Sequence, residues 1–332
     1  QGIRRLTRTI STIARVAPMA TLPALGIGLL LLVLFGRMPG DGRWASVLGN
    51  AAHAPVFGCF ALVAIRLQRQ LRPRTEPARQ YLVAFAVALA AGGLIELMQS
   101  ALGGDASLND LLRDALGTLT AIALFAVFDP SLRGLAAGRA VRRAGIALGA
   151  AGTVLILVPL VTTLWAYAGR DHNFPLLVDF DSPVSTYFLA SYSAVSVERE
   201  RIPAKLAGSA DRIIGLRARV SISQRWAIAL WETGPDWHHY EWLALDVANP
   251  TGDTLVLGVR IRDQDRHGTR PAADLGTIKV PPQSRATRRL ALWPHATVRG
   301  VAVDYSAIHG LVLHADPANR AQEFYVMRIW LE

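Results

Sequence analysis

Residues 1–170 carry their apolar positions in long unbroken runs, whereas residues 171–332 alternate apolar and polar positions over short stretches. The runs predict five membrane spans over 17–36, 46–65, 81–102, 111–128 and 144–168, each of about the length that crosses a bilayer. Ahead of them, Ile3, Leu6, Ile10 and Ile13 recur at helical spacing among Arg4, Arg5, Arg8 and Arg15. That pattern predicts an amphipathic helix lying on the membrane surface over 1–16. A cleaved signal peptide is the rival, disfavoured because the next apolar stretch is about 20 residues long and lacks an obvious cleavage site. The alternating half predicts short strands over 217–222, 226–231, 242–247, 254–262, 276–280, 287–292, 298–303, 310–315 and 324–331, with Pro, Gly, Asn and Asp at the turns between them. The expected fold is therefore a helical transmembrane bundle over 17–168 followed by an antiparallel all-β sandwich or jelly roll over 174–332.

Charge fixes an expected orientation. The formal net charge is +10. Residues 1–170 hold 17 arginines against 7 acids, while residues 171–332 balance 18 basic residues against 18 acidic ones. The arginines cluster in the N-terminal segment, in 66–80 and in 129–143, which alternate with poorly charged connections. Arginine-rich loops stay in the cytoplasm, so the N-terminus is expected inside and the β domain outside, in the periplasm of a bacterial inner membrane. This placement also accounts for the high isoelectric point without nucleic acid as a partner.

Polar residues inside the spans fall at one depth. Asn50 and His53 lie near the outer start of the second span, Glu96 and Gln99 near the outer end of the third, Asp110 and Asp114 at the start of the fourth. Each pair is three or four residues apart and shares a helix face. Ionisable groups inside a bilayer are costly and face an interior or a wet cavity. These six residues are candidate ligand-binding residues of an outward-opening pocket, with Gly92, Gly93 and Gly117 permitting close helix approach. Three readings stand: interhelical polar glue, a headgroup pocket, or a catalytic site with His53 and Glu96 as acid and base. The lone cysteine, Cys59, is expected to be a small apolar filler inside its span.

His53 with Phe57 four residues on, then Ile95-Glu96-Leu97-Met98-Gln99, then Asp110-Leu-Leu-Arg-Asp114-Ala-Leu-Gly117, resemble the VanZ-like family of small bacterial membrane proteins over about residues 20–128. That family is named for a member linked to teicoplanin resistance. The departures are specific: the family's Asp-Lys pair falls on Gly49-Asn50, its arginine on Gly104 and its asparagine on Asp114. The resemblance therefore implies a pocket that has lost two cations and gained a carboxylate.

In the β half, Leu176-Leu-Val-Asp179-Phe180-Asp181, Trp242-Leu-Ala-Leu-Asp246-Val-Ala-Asn249-Pro250 and Phe324-Tyr325-Val-Met327-Arg-Ile-Trp330-Leu331 resemble the jelly-roll modules of carbohydrate-binding proteins. The resemblance implies calcium near the closing strand in such modules, held by an aspartate where this chain has Met327, so none is expected here. Sugars stack on aromatic rings and are fixed by polar groups. Trp231, Trp237, His238, His239 and Tyr240 form one candidate contact for a glycan or protein, and the loop containing Asp263, His267 and Arg270 another. Trp226, Trp242 and Trp330, on strands, are expected in the core. The adjacent histidines point to opposite faces, and no metal site is expected from them.

The leading expectation is a non-catalytic envelope protein that recognises a glycan, a lipid-linked saccharide or a lipid headgroup at the outer leaflet. The rivals are an accessory subunit of a larger membrane complex and a membrane enzyme acting on envelope polymers. Expected partners are membrane lipids, an envelope glycan and, on the second reading, other subunits. No cofactor motif occurs.

Overall fold

A computed structural model describes residues 21–33, 42–102, 107–132, 137–193, 195–207, 214–221, 224–234, 236–263, 272–292, 297–298, 301–316 and 318–332. The chain divides into two compact units, Gln1–Thr163 and Leu164–Glu332. The surface helix expected over 1–16 lies outside the described residues.

The first unit contains α1 (Thr21–Val33), α2 (Arg43–Leu71), α3 (Pro77–Ala101), α4 (Leu108–Phe128) and the first part of α5 (Gly138–Asn173). Helices α2 to α5 are each long and apolar enough to cross a membrane, four spans among the described residues. The described part of the first expected span is the shorter α1. Large apolar side chains cover the unit's outside: Leu82, Leu94, Leu97, Leu112, Phe128 and Leu148 are all exposed. In water that surface would be a liability; against hydrocarbon it is the favourable solvent. Cys59 of α2 is exposed on the same surface.

The interior is built on small residues. A Cβ added to Gly117 of α4 would lie 2.2 Å from the Ala54 carbonyl oxygen of α2. Gly58 of α2 faces Ala121 and the Gly117 carbonyl more loosely, at 3.0 and 3.2 Å from its notional Cβ. Backbones thus meet with no side chain between them, the geometry through which van der Waals packing holds membrane helices together. Gly92 of α3 is closed against Asp114, with 2.7 Å from its notional Cβ to Oδ2, whereas Gly93 faces open space and has no such role. Phe57, Ala61, Ala88 and Ile95 fill the remaining apolar core.

The second unit is an antiparallel sandwich. One sheet runs in the order β3 (Val195–Arg201), β4 (Ile214–Val220), β13 (Glu323–Leu331), β6 (Trp242–Asn249), β9 (Ser284–Ala291), with β1 (Leu176–Asp179) also pairing with β13. The other runs β2 (Leu189–Ser193), β5 (Trp226–Trp231), β12 (Ile308–Ala315), β7 (Leu255–Asp263), β8 (Ala273–Val280), and β10 (Thr297–Val298) with β11 (Val301–Ala302) forms a small ribbon. Period-2 alternation places Leu243, Leu245 and Val247 of one sheet against Ile228, Leu230, Leu311 and Leu313 of the other, all buried. Strands β1, β2 and β3 were absent from the strands the alternation predicts, and a short helix, α6 (Ala204–Ala207), appears where none is expected. Alternation also misplaces two of the three tryptophans expected in the core, Trp242 and Trp330. Because Leu243, Leu245 and Val247 take the core face of β6, Trp242 has the opposite parity and is 41 % exposed. Trp226 is in the core as expected, and Trp330 is half-buried under Arg328, whose guanidinium lies 4.1 Å from its ring.

Residues 169–173 are the end of α5. Within the second unit, Ala166 joins the sandwich core, Tyr167 packs edge-on to Phe188 at 5.1 Å and Arg170 donates to the Glu232 carbonyl at 2.8 Å.

The turn after β6 is closed by one fully buried amide. Asn249 donates to the carbonyls of Asp253, Val280 and Pro281 at 2.8, 3.1 and 3.0 Å, and its Oδ1 accepts from the N–H and hydroxyl of Thr251. An unsatisfied buried polar group costs about 1–3 kcal/mol. Asn249→Ala is expected to destabilise the sandwich by about 2–3 kcal/mol, read by chemical denaturation of the full chain in detergent through tryptophan fluorescence. A change below about 0.5 kcal/mol would show that water replaces the amide there.

Candidate functional site

The six polar residues expected in one pocket are divided between different neighbours. His53 of α2 and Asp114 of α4 meet directly, Nδ1 to Oδ1 at 2.9 Å. The close approach of Gly117 to Ala54 and the missing side chain at Gly92 make room for this pair. The His53 ring stacks on Phe57 at 6.4 Å, which fixes its plane. Glu96 of α3 turns instead to the connection before α4, where its Oε2 accepts the Ser107 N–H at 2.5 Å. Its other oxygen, Oε1, is buried and has no partner among the described residues. Asp110 is ion-paired to Arg113 one turn along the same helix. Gln99 is half-buried, and Asn50 lines a separate cavity of about 200 Å³ between α2, α4 and α5, beside Arg113. Four of the six, His53, Asp110, Asp114 and Glu96, thus stay within electrostatic reach of one another, while Asn50 lines the neighbouring cavity beside Arg113. No group of three His, Cys, Asp or Glu side chains with metal-binding geometry occurs among the described residues.

A second polar cluster at the opposite ends of these helices escapes the sequence. Asp129, just after α4 and fully buried, accepts both ends of the Arg69 guanidinium from α2 and the Tyr81 hydroxyl from α3. Arg69 Nε also donates to Gln80 Oε1 at 2.9 Å, and the Ser131 N–H donates to Asp129 at 3.0 Å. Phe125 covers the guanidinium at 5.3 Å. This cluster ties three helices together with its carboxylate saturated. In the sequence Arg69 counts only as one of five arginines in a basic loop, and Asp129 reads as a turn residue before Pro130.

In the sandwich the predicted aromatic patch is likewise redistributed. Trp237 is fully buried in the core, its indole N–H donating to the Gly234 carbonyl at 2.9 Å, so it cannot present a face to a ligand. His238 and His239 are exposed. The His238 backbone N–H donates to Asp236 at 3.0 Å and holds that exposed carboxyl below its usual range, helped by the histidine ring. Tyr240 packs edge-on to Phe174 at 5.6 Å. Asp263 accepts the Asp304 N–H at 3.1 Å, a brace for the loop start. His267 and Arg270 lie outside the described residues.

Trp231 is different. On the outer face of the β2-β5-β12-β7-β8 sheet, Trp231, Gly310 and Arg262 stand opposite one another across three strands. A Cβ on Gly310 would come within 2.5 Å of the indole, so only glycine lets the ring lie flat over β12. Arg262 reaches across to 5.7 Å from the ring centroid, His309 flanks it at 5.6 Å, and the indole N–H donates to the Tyr192 hydroxyl at 3.1 Å. Two residues further along β12 the row is Ala229, Val312 and Arg260, with Asp274 of β8 beside Arg260 at 3.3 Å. In the next row the His314 ring lies over Gly258 in the same manner. Tyr192, Arg260, Arg262, His309 and His314 were not singled out from the sequence. The signal was present in the polar positions alternating along β7 and β12.

No family model matches the chain, and no curated protein matches it. Among solved structures, the sandwich is similar to a family 11 carbohydrate-binding module from Clostridium thermocellum in complex with a β-1,3-1,4-mixed-linked tetrasaccharide, at 15 % identity over 47 % of this chain and 93 % of that one, TM-score 0.36. It is also similar to an exo-β-agarase, at 15 % identity over 47 % of this chain but only 24 % of the enzyme, TM-score 0.39. A xylan-binding domain of family 22 aligns at 11 % identity over 46 % of this chain and 90 % of that domain, TM-score 0.32. At these values no residue correspondence and no ligand carries over.

The two membrane clusters differ in what they leave open, and mutation should separate them. Removing one partner of a buried pair costs about 3–5 kcal/mol, so Asp129→Ala should lower the thermal midpoint of the purified protein by many degrees. Glu96→Gln retains an acceptor for Ser107 and leaves no buried charge, so its midpoint should move by no more than about 1–2 °C. Equal losses in the two variants would mean that Glu96 is as much a structural tie as Asp129.

Proposed function

We propose that this chain is a non-catalytic integral membrane protein of the bacterial envelope that recognises a glycan or a lipid-linked saccharide at the outer leaflet of the cytoplasmic membrane. The arginine-rich connections support an orientation with the N-terminus inside and the sandwich in the periplasm. The observation that carries the reading is the Trp231–Gly310–Arg262 row. A flat, half-buried indole offers an apolar face of the size of a pyranose ring. Arg260, Arg262, Asp274 and the neighbouring histidines supply hydrogen-bonding groups at the margins, the combination by which carbohydrate sites gain both affinity and orientation. On that orientation His53, Asp114 and Glu96 would fall toward the outer ends of their helices, the level of a lipid carrier's headgroup. The His53–Asp114 contact is read here as polar glue between helices, the non-catalytic of its readings.

Binding of the full chain in nanodiscs to an array of envelope glycans and plant and algal oligosaccharides tests this directly. Trp231→Ala should weaken the tightest binder by about 10–30-fold, the loss typical of removing a central aromatic contact. The substitution Trp242→Ala, at an exposed tryptophan on the other sheet, should leave binding unchanged. An absence of any binder, or equal losses in both variants, would contradict the proposal.

A further inference from the structure

The cavity between α2, α4 and α5 combines features that no helix needs for its own stability. Arg113 projects into it from α4 and Asn50 from α2, while Leu155, Ile156 and Pro159 form the α5 wall. Arg113 commits Nη1 to Asp110, and its side chain remains about a third exposed, at 37 %. Both flanking helices carry a proline one turn beyond a residue that lines the cavity. Pro55 has no N–H to give the Ala51 carbonyl, and Pro159 has none to give the Leu155 carbonyl. Ala51 and Leu155 are both lining residues of the cavity, as are Asn50 and Arg113, so two helix carbonyls lacking their usual donors belong to residues at its wall. In a bilayer such carbonyls must find donors elsewhere. Leu155 is 59 % exposed, so the cavity's rim reaches the lipid-facing surface of α5.

We infer that this cavity holds the headgroup of a phospholipid, its phosphate on Arg113 and its amine or hydroxyl donating to the carbonyls of Ala51 and Leu155. Arginine matches phosphate through a fork of charge-assisted N–H bonds, which a neutral lipid cannot use. The carbonyls require a headgroup that donates hydrogen bonds, which ethanolamine and glycerol do and choline does not. Size agrees: about 200 Å³ is below the roughly 300–1,000 Å³ of sites that enclose whole small molecules. It suits a headgroup whose acyl chains stay in the membrane. The depth agrees as well, since Asn50 lies seven residues into α2 and Arg113 five into α4, roughly 8–10 Å from the helix ends. This inference shares only the membrane setting with the glycan reading. Loss of glycan binding in Trp231→Ala would leave it untouched.

Native mass spectrometry of the full chain, released from detergent after exchange with single dioleoyl lipids, tests it. Phosphatidylethanolamine and phosphatidylglycerol should be retained about ten-fold over diacylglycerol and several-fold over phosphatidylcholine. Arg113→Gln should lose about ten-fold in retained phospholipid, and Pro159→Ala, which returns an N–H to Leu155, about two- to five-fold with no loss of thermal stability. Should Arg113→Gln fail to fold, the comparison among lipids on the unaltered chain decides the matter. Equal retention of diacylglycerol and phosphatidylethanolamine would overturn the phosphate contact, and equal retention of phosphatidylcholine would overturn the carbonyl contacts. Displacement of bound lipid by millimolar inorganic phosphate would show a free-phosphate site and overturn the lipid assignment.

Discussion

A polar group inside a bilayer has no water to fall back on, and that constraint organises the membrane unit. A buried charged group that its own helix cannot satisfy must find its partner across a helix boundary, and partners meet only where backbones come close. Gly117 lying on Ala54 is the contact that makes this possible: it draws α2 and α4 together and brings His53 within 2.9 Å of Asp114. Gly92 lets the third helix close over the same carboxylate. A methyl group at either glycine would have to displace backbone or carboxylate, so the polar pair and the packing form one feature.

The ends of the bundle then diverge. Around Asp129 the partners saturate the carboxylate, and the cluster has nothing to offer a ligand. Around Glu96, Asn50 and Arg113, acceptors and donors are left over at the level where α2 and α4 begin. A structure selected for stability alone would close both ends alike, and the contrast distinguishes the end that holds Glu96, Asn50 and Arg113. The sandwich makes the same distinction between its faces. Asp246 is buried and forked by Arg285 at 3.0 and 2.6 Å on one sheet, and α6 covers Tyr325 and Met327 beside it. On the opposite sheet glycines at 258 and 310 keep two aromatic rings flat and leave the face open.

The sequence carried the architecture better than the sites. Long apolar runs locate α2 to α5 because twenty apolar residues admit few alternatives, and alternation finds most of β4 to β13 because one face of each strand must be apolar. It missed β2 and β3, where Ser191, Tyr192, Ser193, Glu198 and Glu200 leave little apolar alternation to read. Helical spacing showed that Asn50 and His53 share a face, but not that Asp114 would claim His53 and leave Asn50 beside Arg113. Pairing across helices depends on which backbones touch, and that is decided by glycines whose partners lie about sixty residues away. The same limit explains Trp237 and Trp231. Both are tryptophans near one turn, yet one fills the core and the other lies over a glycine from a distant strand.

The account rests on the direction in which the helices thread the membrane, because recognition at the outer leaflet requires the β domain to lie outside. Impermeant maleimide labelling of single-cysteine variants in a Cys59→Ser background, in cells with a permeabilised outer membrane, measures this directly. Asp253→Cys, in the turn after β6, should react before the inner membrane is broken, and Arg74→Cys, between α2 and α3, only afterwards. Labelling of Arg74→Cys in cells with an intact inner membrane would reverse the orientation and contradict recognition at the outer leaflet.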